Sequence, residues 1–247
     1  MKGFKFLIAL MCMTGIVSCG MPSCGKNDDS ENPAGNSTCD GIKAPDDANV
    51  TGTVSGDFDI SNPRPGSTAT VTLSGFPGSL KSFQNLQAQI GGDPVGAAVL
   101  PLVGMEVYYQ RGSRIGLECI KSACWESAVD SYLELRLREM YNSSDPRYFR
   151  PYQVAAFLKG ASPENGYNPT KPYTFELTYK GQEEDQMVLG ATIYTFCLKY
   201  SGSEVSKDVK IQVFRPNGQS YFVVSSWSSC YVYVKQIASG QTFNGLD

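Results

Sequence analysis

The second half of the chain alternates apolar and polar residues with a period of two. In "YTFELTYK", Tyr173, Phe175, Leu177 and Tyr179 alternate with Thr174, Glu176, Thr178 and Lys180, as in a strand with one buried and one wet face. "MVLGATIYTFCLKY", "DVKIQVFR", "SYFVVSS" and "CYVYVKQI" follow at short intervals and predict four further strands. Asn217-Gly218, inside "RPNGQ", lies between two of them and is the clearest hairpin signal in the sequence, because both residues tolerate the positive φ of a tight turn. Short links and near-regular spacing imply an antiparallel meander, closed either as a sandwich or as a barrel.

The first half carries shorter signals. "ATVTLSG" alternates Val71 and Leu73 against threonines, "LQAQIGG" does the same with Leu86, Ala88 and Ile90, and "VGMEVYY" and "SRIGLECI" supply further short strands. One segment departs from the β pattern. In "WESAVDSYLELRLREMY", Trp125, Val129, Tyr132, Leu133, Leu137 and Met140 fall on one helical stripe, and Glu134 stands four residues before Arg138. This predicts a helix near 125–141. The order "ISNPRPGSTATVTLSGF…LQAQIGG" resembles the opening of a bacterial immunoglobulin-like module of the IPT/TIG type, which implies a sandwich. The expected fold is mostly β, an antiparallel immunoglobulin-like β-sandwich or a pair of them, with one amphipathic helix. "NSSDPRYFRPY" is the candidate boundary. It separates a sandwich-like region at 49–144 from a meander at 145–247, either a second domain or a continuation of the first.

Ahead of this body, "MKGFKFLIALMCMTGIVSC" has Lys2 and Lys5, an apolar stretch from Phe6 to Val17 and small residues before Cys19, the layout of an export signal at 1–18. The apolar run is too short for a permanent membrane span. Ile16-Val17-Ser18-Cys19 resembles a bacterial lipobox, which implies that Cys19 is lipidated and becomes the N-terminus. Met21-Pro22-Ser23-Cys24 is the alternative, less apt because proline occupies a position that is usually small or β-branched. Gly20, Gly25 and Lys26 have the spacing of a phosphate loop, but Asn27 replaces the required Ser/Thr, and no strand-then-helix context surrounds them. From 19 to 48 the chain is rich in Asp, Asn, Ser, Gly and Pro and reads as a disordered tether behind the lipid.

Composition excludes more than it identifies. The net charge is −3 with no long basic run, so nucleic acid is not an expected partner. The chain has no histidine, which rules out a Ser-His-Asp triad, a Cys-His dyad and a histidine general base within this polypeptide. No cofactor or metal site is expected. With Cys12 leaving in the signal and Cys19 acylated, the remaining Cys24, Cys39, Cys119, Cys124, Cys197 and Cys230 permit three bridges. The preferred pairs are Cys24 with Cys39, Cys119 with Cys124 and Cys197 with Cys230, among fifteen connectivities.

Candidate binding residues cluster in two places. Arg147, Tyr148, Phe149, Arg150 and Tyr152 combine flat rings and positive charge in a proline-bounded loop, suited to stacking on sugars or a partner surface; the alternative is that these aromatics close the junction between two cores. Trp227, in "SSWSS", is either a recognition anchor or a lid over the sheet edge. Glu183, Glu184 and Asp185 read as a solvated turn, and Asp57 and Asp59 as a faint calcium suggestion.

The expectation is therefore a lipid-anchored protein of the bacterial envelope, at the outer membrane with its face open, acting as a noncatalytic binding module for a glycan or protein. A structural subunit of an envelope or pilus-like assembly is the alternative, followed by a carboxylate-based glycoside hydrolase.

Overall fold

The structure is a computed structural model and describes residues 49–185, 191–202 and 208–246. Contacts divide the chain into two units, residues 1–42 and 43–247, and all described residues lie in the second. The expected signal, Cys19, Cys24, Cys39 and the tether fall outside the described residues.

Six strands form one antiparallel sheet in chain order: β1 (Gly52–Gly56), β2 (Thr68–Leu73), β3 (Tyr173–Asp185), β4 (Ala191–Leu198), β5 (Val209–Phe214) and β6 (Val223–Ser226). The alternation read in β2 and β3 sets the faces. Val71 pairs with Phe175 and Leu73 with Tyr173 on the buried side, while Thr72 pairs with Thr174 on the other. The same phase runs into β4 and β5, where Phe196 lies between Tyr179 and Ile211 in the core, and Cys197 lies between Thr178 and Lys210 on the outer side. β5 and β6 pair across the connection 215–222, which contains the Asn217-Gly218 turn; Gly218 has φ +79° but Asn217 has no positive φ, so the turn is present without the tight two-residue form.

β2 and β3 are neighbours in the sheet but far apart in sequence, and the insertion between them contains α1 (Leu80–Ile90), α2 (Pro94–Arg111), α3 (Ser113–Ala123) and α4 (Ser131–Asn142). α2 lies centrally, against β1, β2, β4, β5 and β6. Residues Pro94 to Tyr108 are all buried, which explains their nearly continuous apolar run: a helix covered on all sides has no polar face to display. Asp93 caps it by accepting from the Val95 N–H at 2.8 Å, and Pro94 stands in the first turn, where no N–H is needed. α3 approaches α2 closely enough that a Cβ on Gly116 would lie 2.2 Å from the Tyr108 Cα.

The protein is thus mixed α/β. Among the described residues there is one sheet, and helices cover the face on which a sandwich would place a second. Three expected strands are helices. "LQAQI" forms the end of α1, whose buried residues Phe83, Leu86, Gln87 and Ile90 keep helical spacing; the alternation of Leu86, Ala88 and Ile90 is incidental. "VGMEVYY" belongs to α2 and "SRIGLECI" to α3, because short apolar runs fit either element and only the longer pattern decides. The IPT/TIG-like order therefore fails after β2. "CYVYVKQI" enters a 3-10 turn at Ser228–Tyr231 rather than a strand. The expected helix is present as α4, but Trp125 and Val129 precede it, beside a short 3-10 turn at Glu126–Ala128. No helix among the described residues is long and apolar enough to cross a membrane.

Candidate functional site

α4 begins at Ser131 because Asp130 accepts a hydrogen bond from the Leu133 N–H at 2.8 Å, closing the first turn. Its buried residues are Leu133, Leu137, Met140 and Tyr141. That phase turns Tyr132 outward, 56 % exposed, although the sequence stripe had it inside. Tyr132 and Arg136 stand four residues apart and so share a helix face. The Arg136 guanidinium lies 3.9 Å from the Tyr233 ring centroid and donates to Glu139 Oε2 at 3.0 Å. Tyr233 donates its own hydroxyl to the same carboxylate oxygen at 3.0 Å. Desolvation, then this bond to Glu139, push its phenol up to about 12, against the pull of Arg136.

Tyr233 connects α4 to the proline-bounded loop. Its ring lies 6.0 Å from that of Tyr148, which is 42 % exposed. Asp145 accepts two bonds from Arg147 Nε and one from Nη2, at 2.7 to 3.1 Å, and a fourth from the Arg147 N–H. The fork is thereby held beside the Tyr148 ring, 5.6 Å from its centroid. Val232, 57 % exposed, borders the same segment. The outcome is a patch in which Tyr132, Tyr148 and Arg147 are exposed and Arg136 and Tyr233 are half-buried, built from one helix, one loop and one extended segment.

The rest of the predicted site holds this surface in place. Arg150 is buried and donates to the carbonyls of Val234, Pro146 and Phe149 at 2.9 to 3.0 Å, so its charge is spent on the backbone. Tyr152 is buried and stacks on Tyr167 with centroids 4.8 Å apart. Phe149 is half-buried. Trp227 is 1 % exposed and donates from Nε1 to the Ala128 carbonyl at 2.9 Å, which makes it a core anchor rather than an exposed contact. Gln153, fully buried, donates to the carbonyls of Cys230 and Val232 and accepts from the Val234 N–H; one side-chain amide does for residues 230–234 what a neighbouring strand would.

Arg147 and Tyr148 are the residues of the sequence proposal that reach solvent. Tyr132, Arg136 and Tyr233 were missed. The cap at Asp130 was the available signal for Tyr132, since it fixes the start of α4 and thus its phase. Nothing local marks Tyr233.

The other polar candidates have structural partners. Asp57 accepts from the Thr68 N–H and hydroxyl, and Asp59 from the N–H and hydroxyl of Ser61; these bonds hold both carboxyls below the ordinary range. Glu183 and Glu184 lie in β3 rather than in a turn, and Glu183 accepts from Gln212 at 2.9 Å. No cluster of metal-ligating side chains occurs among the described residues.

The expected bridges between described cysteines are absent: Cys119, Cys124, Cys197 and Cys230 are buried free thiols. Cys119 and Cys124 span α3 and its C-cap, where a five-residue step turns side chains well away from each other. Cys197 lies on the outer side of β4, whereas Cys230 belongs to the core on the inner side.

No curated protein and no solved structure matches the chain. A family model described as "Domain of unknown function (DUF6935)" matches residues 75–238, more than half of the sequence, from just after β2 to just past the Tyr233 segment. The chain belongs to the DUF6935 family.

Proposed function

We propose that this protein is a membrane-anchored envelope lipoprotein, at the outer membrane, acting as a noncatalytic binding module for a glycan or protein. The observation that carries the binding role is the exposure of Tyr132, Tyr148 and Arg147 around the half-buried pair Arg136 and Tyr233. Flat rings offer large contact area at small entropic cost, and pre-positioned guanidinium groups add charge-assisted hydrogen bonds. The anchor is supported by the leader alone, through its lipobox-like residues before Cys19, with Cys24 as the alternative. Binding of the mature protein to immobilised envelope polysaccharides and purified envelope proteins tests the role. Tyr132→Ala and Tyr148→Ala variants that remain folded are expected to lose capture; equal capture by both variants contradicts it.

The second reading, a subunit of an envelope assembly, draws on β1, which pairs only with β2 among the described residues and whose residues are exposed or half-exposed. Such an edge accepts a strand from a neighbour. Concentration-dependent assembly that Val54→Pro abolishes supports it. The glycoside hydrolase reading gains nothing from the two described cavities, of about 110 and 300 Å³. Glu176 is the one carboxylate lining the first, and Glu134 the one lining the second, whereas that chemistry needs two.

A further inference from the structure

Glu134 and Arg138, four residues apart on one face of α4, would ordinarily pair with each other. In the structure Glu134 is drawn across to α3 instead, where Lys121 Nζ lies 3.8 Å from its Oε1. Arg138 has no carboxylate within ion-pair distance among the described residues. Both α4 residues line a cavity of about 300 Å³ between α3, α4 and the end of α2, at the lower end of the size range of small-molecule sites. Its walls differ in chemistry. Leu117 of α3 and Leu135 of α4 supply apolar surface, Leu135 being 41 % exposed. Ser113 and Ser131 are the first residues of α3 and α4 and bring hydroxyls that do not cap their own helices. Tyr108 is the buried member, its ring 5.8 Å from that of Tyr141. Desolvation raises its phenol above the ordinary range, so it remains a hydrogen-bond donor at neutral pH. With Lys121 and Glu134 offsetting each other, the net charge at the cavity is the single positive charge of Arg138.

We propose that this cavity binds a small organic carboxylate, with the carboxylate on Arg138 and an apolar body against Leu117 and Leu135. A guanidinium offers two parallel N–H donors that match the two oxygens of a carboxylate. The hydroxyls of Tyr108, Ser113 and Ser131 supply further donors for the same oxygens. A purely inorganic anion would leave the two leucines uncovered, and an amine would leave Arg138 without a partner. The chemistry suits a free carboxylic acid and the acid group of a uronic sugar alike. This site is separate from the aromatic patch, because Tyr132 and Arg136 lie about a third of a turn away around α4.

The test titrates the purified full chain with phenylacetate and with phenylacetamide, its neutral counterpart, and follows backbone amide shifts by NMR. Phenylacetate is expected to move the amides of Ser113, Leu117 and Leu135, and phenylacetamide to bind about tenfold more weakly or worse, as loss of a charge-assisted pair requires. Arg138→Gln, at an exposed position, is expected to weaken phenylacetate by the same factor. Arg138→Lys keeps the charge without the fork and should recover only part of the affinity. Arg64→Gln, the same charge change at an exposed residue outside the cavity, should retain the parent Kd. Galacturonate, titrated in parallel, separates the sources: binding tighter than phenylacetate assigns the acid to a sugar, and weaker binding assigns it to a free acid. Absence of shifts with both acids, equal binding of acid and amide, or an unchanged Kd in folded Arg138→Gln protein overturns the proposal. Should Arg138→Gln not fold, Leu135→Asp, which sets a negative charge beside the carboxylate, must abolish binding, and retained binding there contradicts the assignment.

Discussion

Arg136 and Tyr233 form the hinge of the candidate surface: the guanidinium lies 3.9 Å from the ring centroid, and Glu139 Oε2 accepts from both residues. The contact joins α4 to the segment that Gln153 holds by its side-chain amide. Arg136→Ala is expected to cost about 1 kcal/mol in chemical denaturation, from one cation–π contact and a partly exposed ion pair. Tyr233→Phe removes only the bond to Glu139; it is expected to retain ligand capture, while Tyr233→Ala loses it.

Trp227 separates packing from binding. Its ring is buried, 5.2 Å from that of Tyr231, and its N–H satisfies the Ala128 carbonyl. Trp227→Ala is expected to destabilise the fold by about 3–5 kcal/mol, as large aromatic truncations in cores do. Trp227→Phe should cost less while still removing the hydrogen bond. Denaturant titration distinguishes the two, and a folded Trp227→Phe protein is expected to bind ligand as the parent does.

Glu106 gives stability a pH dependence. It is fully buried in α2, accepts from Gln110 at 2.8 Å through Oε1 and has no hydrogen-bond partner for Oε2. Desolvation pushes its carboxyl from 4.5 up to about 8, against the bond from Gln110. The folded state therefore holds a proton that the unfolded chain has released throughout this window. Stability from this group falls as pH rises from about 4.5 to 8 and is level above, by up to roughly 5 kcal/mol. Glu106→Gln is expected to flatten that slope and raise Tm at pH 8, as thermal unfolding across the window will show.

Gly116 tests the contact between α2 and α3. Any Cβ there meets the Tyr108 backbone, which cannot yield as a flexible side chain would. Gly116→Ala is expected to destabilise by about 2 kcal/mol or more despite its better helix propensity. Gly75→Ala, where a Cβ meets nothing within 4 Å, is the matching control in the same denaturation series.

The anchor is tested by mass. Intact-mass measurement of membrane-extracted protein is expected to show acyl chains on a chain beginning at Cys19. A start at Cys24 selects the alternative, and an unacylated chain retaining residues 1–18 removes the anchor from the account.

The sheet was legible where each strand has one wet face. Threonine alternating with Val71, Leu73, Phe175 and Leu177 fixes both the strands and the buried side, and Asn217-Gly218 fixes a turn by backbone chemistry alone. The helical layer was not legible. α2 is buried on all sides and so lacks an amphipathic period, and in α1 the run Leu86, Ala88, Ile90 mimics a strand until Phe83 and Gln87 are included. The site divided in the same way. Arg147 and Tyr148 could be found because prolines bound a loop rich in rings and charge. Tyr132 depended on the phase of α4, and Tyr233 depended on Gln153 holding a distant segment beside it, a long-range contact with no local signature.

The most direct test of the binding role is an affinity titration of the mature protein against whichever envelope glycan or protein it captures, comparing the parent with a Tyr132→Ala/Tyr148→Ala double variant. The account predicts a loss of about a hundredfold or more, roughly tenfold for each exposed ring, with Tm within a few degrees of the parent. An unchanged Kd in a folded double variant would contradict it.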